Sequence, residues 1–169
     1  MSALSFEDYQ AISSVKSRYF RFIDTKQWAA LRELFVDDAT FDGLWATAAD
    51  PDAFVSNLRR NLPPEVTTIH QGYMPDLVQT APGVVRGIWT MMDYLLWPTD
   101  SKQYLGVSVP GQRGIKGYGH YEEEYHLVDG VWKIAKLRLS RLRIDPVMAP
   151  EPPMPDFQFA RLLPDWLGS

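Results

Sequence analysis

The chain has 169 residues, 46% of them hydrophobic and 22% charged, and 17 basic side chains against 21 acidic ones give a net charge of −4. This is the size and balance of one globular domain with room for a core and an internal pocket. The acidic surplus argues against a nucleic-acid surface, which needs a concentrated basic patch, and no apolar run approaches the roughly 18 residues of a membrane span. Cysteine is absent, which excludes disulfides, thiolate nucleophiles and cysteine-ligated zinc or iron–sulfur centres. The start, MSALSFEDYQ, lacks the basic and apolar regions of a signal peptide, so a cytoplasmic location is expected.

In chain order, Ser5-Phe6-Glu7-Asp8 reads as a variant capping box that opens a helix with acids in its first turn. Ile12, Val15, Tyr19, Phe22 and Ile23 follow at helical spacing, which places Tyr19 on the buried stripe. Asp24 falls where this helix should end, at the negative pole of the macrodipole. A carboxylate there needs a second task. One is to cap the next helix, predicted from about Thr25 to Phe35 with Trp28, Leu31 and Leu34 buried, since Asp24-Thr25-Lys26-Gln27 is an Asp-x-x-Gln box. The other is to meet a cationic partner from elsewhere, for which His70 is the candidate. Ala39 to Phe41 begins a short strand, and Asp50-Pro51 starts a third helix that stops at Pro63-Pro64.

Strands follow. Val66 to Tyr73 carries His70 in its middle, and a further strand over about Asp76 to Gln79 leads to the turn Ala81-Pro82-Gly83. Val84 to Trp97 is a long strand whose one face reads Val85, Gly87, Trp89, Met91, Asp93, Leu95, Trp97. A carboxylate among Trp, Met and Leu needs a partner, which makes Asp93 a second site candidate beside the plainer reading of a buried ion pair. Pro98 to Gly114 reads as a long loop, a candidate lid.

Gly119 to Val128, the turn Asp129-Gly130 and Val131 to Ile144 form the clearest hairpin. A simple two-residue turn pairs Leu127 with Trp132, Tyr125 with Ile134, Glu123 with Lys136 and Tyr121 with Arg138 on one face. That face has the composition of a pocket, an apolar floor with a few polar groups. The other face would hold His120, His126, Leu137 and Leu139 and is expected to be a subunit interface. The tail from Asp145 is proline-rich and ends in an amphipathic stretch, Phe157 to Leu167, that could cap the pocket. Three helices and then a mostly antiparallel sheet make an α+β domain, the curved sheet wrapping the first helix to leave a cone-shaped pocket.

Three segments, YFRFIDTKQWAALRELFVDDATFD, TTIHQG and GHYEEEYHLVDGVWKIAKLRLS, resemble the nuclear-transport-factor-two-like (cystatin-like) superfamily, in its SnoaL-like branch. Within it the chain looks like the group that holds bile-acid 7α-dehydratase, scytalone dehydratase and lindane dehydrochlorinase. The resemblance implies a domain over residues 1–145 with a C-terminal extension over 146–169 belonging to it. It also implies that Asp24 pairs with His70 as base, that Tyr19 and Asp93 are functional, and that a strand arginine completes the set. Arg138, six residues after Trp132, is the choice for that arginine, with Arg141 the alternative. Homo-oligomers, trimers or dimers, are implied as well.

The expected activity is a cofactor-independent lyase, dehydratase-like, acting on an apolar and cyclic hydroxy-carbonyl compound. Asp24, His70, Tyr19, Asp93 and Arg138 would be its catalytic set, and Trp28, Trp89, Met91, Tyr121 and Tyr125 would bind substrate. The alternatives are an isomerase or cyclase using the same base, a dioxygenase small subunit, or a non-catalytic binding module in which these groups are merely capped or paired. No metal site is expected, because His120 and His126 lie about 20 Å apart along one strand. No glycine-rich phosphate loop opens a helix, so no nucleotide cofactor is expected.

Overall fold

The computed structural model describes residues 4–43, 48–98 and 110–149, together with Leu167. Helix α1 (Phe6–Asp24) starts as the capping box predicts: the Ser5 side chain accepts the Asp8 N–H. Asp8 also accepts the Trp132 indole N–H at 2.8 Å, which ties the start of α1 to the hairpin. The Ser5 hydroxyl, donating to Asp8 Oδ2 at 2.6 Å, and then the Trp132 bond hold the Asp8 carboxyl below its usual range. The buried stripe of α1 is Ile12, Val15, Lys16, Tyr19, Phe20 and Ile23. Phe20 therefore takes the inward place expected of Phe22, and a lysine belongs to the core.

The second helix is much shorter than predicted. Lys26 has φ +60°, α2 spans only Trp28–Arg32, and Phe35 already opens strand β1 (Phe35–Asp42). The cause is pairing: Leu34 C=O accepts the Ile134 N–H, which draws this segment to a sheet edge. Asp24 does not cap α2, whose N-cap is Gln27 with no side-chain cap bond. Helix α3 (Pro51–Asn61) has the expected cap, Asp50 accepting from the Ala53 N–H at 2.7 Å.

Strand β2 (Thr67–Ala81) is one long strand rather than two, irregular between Gly72 and Pro75. Its place at the sheet edge tolerates the proline, which has no N–H to contribute to a ladder. Strands β3 (Val84–Leu96), β4 (Gln112–Val128) and β5 (Val131–Met148) complete an open five-stranded sheet, ordered β1-β5-β4-β3-β2. Among the described strands only β1 pairs in parallel, with β5. The sheet curves around α1 and buries Phe35, Val85, Tyr125 and Ile134 beneath it.

The hairpin turn is as expected, but its register is not. Tyr125 pairs with Ile134 while Glu124 pairs with Lys136, so Ala135 is the extra residue of a β-bulge. Beyond the bulge, alternation on β5 is inverted. Leu137 and Leu139 turn into the core, at 0% and 7% exposure. Arg138 turns outward to Glu122 and Asp42. The apolar face expected to be a subunit interface is thus part of the interior on β5. Residues 99–109 of the expected lid and the tail from 150 lie outside the described residues, except Leu167, which is exposed. No helix among the described residues is long and apolar enough to cross a membrane.

Candidate active site

The site starts where α1 ends. The helix places Asp24 beside β2, and the carboxylate makes two bonds to one residue: Oδ2 accepts the His70 backbone N–H at 2.8 Å, and Oδ1 meets His70 Nδ1 at 2.7 Å. An ionised carboxylate can only accept, so Nδ1 carries a proton, and in the neutral imidazole Nε2 is left as the acceptor. The partner at the wrong end of the macrodipole is therefore His70, and the backbone bond helps to explain why a negative charge is tolerated there. The imidazole is also held by shape. Phe20 stacks on it, centroids 6.3 Å apart and planes at 12°. A side chain at residue 72 would collide with that phenyl ring, so Gly72 gives Phe20 its place.

His70 lines a cavity of about 60 Å³ with Tyr19, Tyr121, Asp93 and Arg141. The rest of the wall is chiefly apolar, with Ile23, Phe54, Leu58, Leu62, Leu95 and Leu139 and two amides from α3, Asn57 and Asn61. Tyr19 and Tyr121 meet edge to face at 5.7 Å, and their hydroxyls are hydrogen-bonded to each other. Burial is the main reason that both phenols are pushed up, so both remain protonated donors at neutral pH.

Asp93 takes both of its bonds from Arg141, at 2.8 and 2.6 Å, a bidentate pair reaching from β3 to β5 across β4. It crosses above Gly117, where a β-carbon would strike both partners. The arginine in the cavity is thus Arg141, the alternative, while Arg138 is outside because of the bulge.

The expected binding residues divide. Tyr121 lines the cavity. Trp89, Met91 and Tyr125 face inward but lie in the core, where the Trp89 indole donates to the Tyr125 hydroxyl at 2.9 Å. Trp28 is half-buried on α2, away from the cavity lining. Tyr125 also donates to Glu123, and Glu123 binds the Lys16 ammonium at 2.5 Å. That ammonium is wholly buried, 3.5 Å from the Tyr121 ring centroid and 4.2 Å from that of Tyr19. Lys16 and the α3 residues were missed in the sequence. The signal for Lys16 was its place in the apolar stripe, four residues after Ile12. For α3 it was the run Phe54, Asn57, Leu58, Asn61 on one helical face.

A larger groove of about 460 Å³ lies on the outer face of the sheet, lined by Asp76, Arg86, Glu122, Lys136 and Arg138 among others. Its charges pair across strands, as in Arg86–Glu124 and Arg138–Glu122, and it contains neither His70 nor the phenols. The smaller cavity is therefore the candidate site. Among the described residues no group of three or more His, Asp and Glu side chains could hold a metal ion.

Comparison with solved structures supports the fold. A hexachlorocyclohexane dehydrochlorinase, LinA type 2, is 23% identical with a TM-score of 0.71, the match covering 89% of this chain and 96% of that one. LinA type 3 from Novosphingobium barchaimii is 23% identical with a TM-score of 0.67, covering 92% and 96%. A candidate scytalone dehydratase from Novosphingobium aromaticivorans is 18% identical with a TM-score of 0.68, covering 82% and 86%. The model of the SnoaL-like domain matches residues 5–138. With the cone of helices and curved sheet that surrounds the Asp24–His70 pair, this match places the chain in the SnoaL-like domain family.

Proposed function

We propose that the protein is a lyase that removes water from a small, apolar, cyclic hydroxy-carbonyl compound without a cofactor. The observation that carries this reading is the Asp24–His70 pair, whose free imidazole nitrogen belongs to a largely apolar cavity with a phenol donor. Family membership supports a small-molecule lyase or isomerase, and the dehydrochlorinase and dehydratase among the similar structures agree with elimination chemistry.

In this mechanism His70 Nε2 takes the proton alpha to the carbonyl, and the C–H electrons move to form an enolate. Tyr121, hydrogen-bonded to Tyr19, donates to the enolate oxygen, an interaction that strengthens as charge develops. The electrons then return to form the C=C bond and expel the β-hydroxyl, which takes the proton from the His70 imidazolium and leaves as water. Asp24 stabilises that imidazolium. Asp93, both oxygens engaged by Arg141, serves with Arg141 to place the polar end of the substrate.

His70→Ala and Asp24→Asn should fold normally and lose about 10²- to 10⁴-fold in kcat/KM on a substrate found by screening cyclic β-hydroxy ketones. Full turnover by His70→Ala would sink the mechanism. Product analysis separates the neighbouring reaction: an isomerase returns the proton to another carbon and releases no water.

A further inference from the structure

Lys26 stands in the left-handed region at φ +60°. Its N–H bonds to Ile23 C=O and its C=O to Trp28 N–H, both at 3.1 Å. Glycine would make this connection without strain, so the lysine side chain requires its own explanation. The half-buried side chain runs back to β2, where its ammonium donates to Thr68 Oγ1 at 3.0 Å. Thr68 and His70 point to the same side of β2, about 7 Å apart along the strand. Asp24, two residues before Lys26, bonds His70. Around the ammonium are Asp24 from α1, whose charge attracts it, Thr68 from β2, and the Trp28 ring, whose centroid is 6.0 Å away. His70 itself meets Asp24 and shares its cavity with Tyr19, Tyr121 and the Asp93–Arg141 pair.

A cation thus interacts with the carboxylate of a carboxylate–imidazole pair. Asp24 by itself favours the imidazolium over the imidazole, as any neighbouring negative charge does. A resting imidazolium has a proton on both nitrogens and cannot act as a base. We propose that Lys26 is a positioning residue whose ammonium offsets the Asp24 charge and keeps His70 neutral and ready to accept a proton at Nε2. This rests on the assignment of His70 as the base. Burial brings Lys26 down to about 8, with attraction to Asp24 resisting, so the two charges feel each other and the ammonium persists at neutral pH. Such coupling is reciprocal.

The test is an NMR pH titration of the histidine ring nitrogens in the full chain, with His120 and His126 as internal references. In Lys26→Gln, which keeps a donor for Thr68 but no charge, and in Lys26→Met, the pH at which His70 takes up its proton should rise by about half a unit or more. Lys26→Arg should restore the original value. The acid limb of the kcat/KM profile should move by the same amount. If Lys26 is only a tie to Thr68, Lys26→Met lowers the melting temperature while His70 titrates unchanged in all three variants, and the proposal is overturned. A His70 that moves as expected, in a protein whose His70→Ala variant turns over fully, would uphold the counter-charge and discard the base.

Discussion

Asp93 and Arg141 bring opposite charges to a cavity with mostly hydrocarbon walls, and their side chains are only 2% and 16% exposed. Such a pair contributes little net stability when intact, yet removing the carboxylate takes two charge-assisted hydrogen bonds from a largely buried guanidinium. Asp93→Asn should therefore lower the unfolding free energy by about 3 kcal/mol, measured by urea denaturation. The double variant Asp93→Asn with Arg141→Met should recover part of that loss, because the largely buried charge is removed as well. At this scale the sequence was legible where chemistry and local position coincided. Asp24 was conspicuous at the end of its helix, His70 was a solitary imidazole on a strand, and Asp93 broke an apolar face. Arg141 could not be singled out, because its orientation depends on bulges that no residue type announces.

Among the elements, β5 shows how much depends on one inserted residue. Ala135 lets Trp132 and Ile134 face inward on one side of the bulge and Leu137 and Leu139 on the other. Were Ala135 paired regularly instead of bulged, Lys136 and Arg138 would enter the core and both leucines would leave it. Deleting Ala135 removes the extra residue and leaves Ile134, Leu137 and Leu139 in regular alternation, so the variant should keep a cooperative thermal melt, as followed by circular dichroism; loss of cooperativity would show that the bulge does more than set the register. The same arithmetic explains the register predicted from the turn alone: Asp129-Gly130 fixes the first pairs and says nothing of the seventh residue. Elements with chemical punctuation were readable, as Ser5 and Asp50 at their helix starts show. The second helix was overextended because Phe35 fits a helical stripe as well as it fits an edge strand, and only pairing with β5 decides between them.

For the molecule as a whole, the α+β order, the curved sheet and the cavity beneath α1 followed from the sequence, while the centre of the core did not. Lys16 and Glu123 form an ion pair with both side chains fully buried. Desolvation lowers Lys16 to about 8 from 10.5, against the pull of Glu123. Between those values the unfolded chain binds a proton that the folded chain does not, so stability should rise with pH there. The tyrosines act oppositely from about pH 10, where unfolded phenols begin to ionise and the buried ones do not. Urea midpoints measured from about pH 8 to 10 should therefore climb in the parent protein and climb less in Lys16→Met with Glu123→Gln, which removes both charges together. An equal slope in the two proteins would mean that Lys16 does not titrate in this range.

The contact between Phe20 and Gly72 gives the imidazole a second, independent support. Asp24 secures it by charge, while the phenyl ring, seated where a side chain at 72 would be, secures it by bulk. Losing either anchor leaves the other, so the orientation of the ring is redundantly specified. The activity lost in Asp24→Asn then measures an absent negative charge rather than a base that has lost its aim.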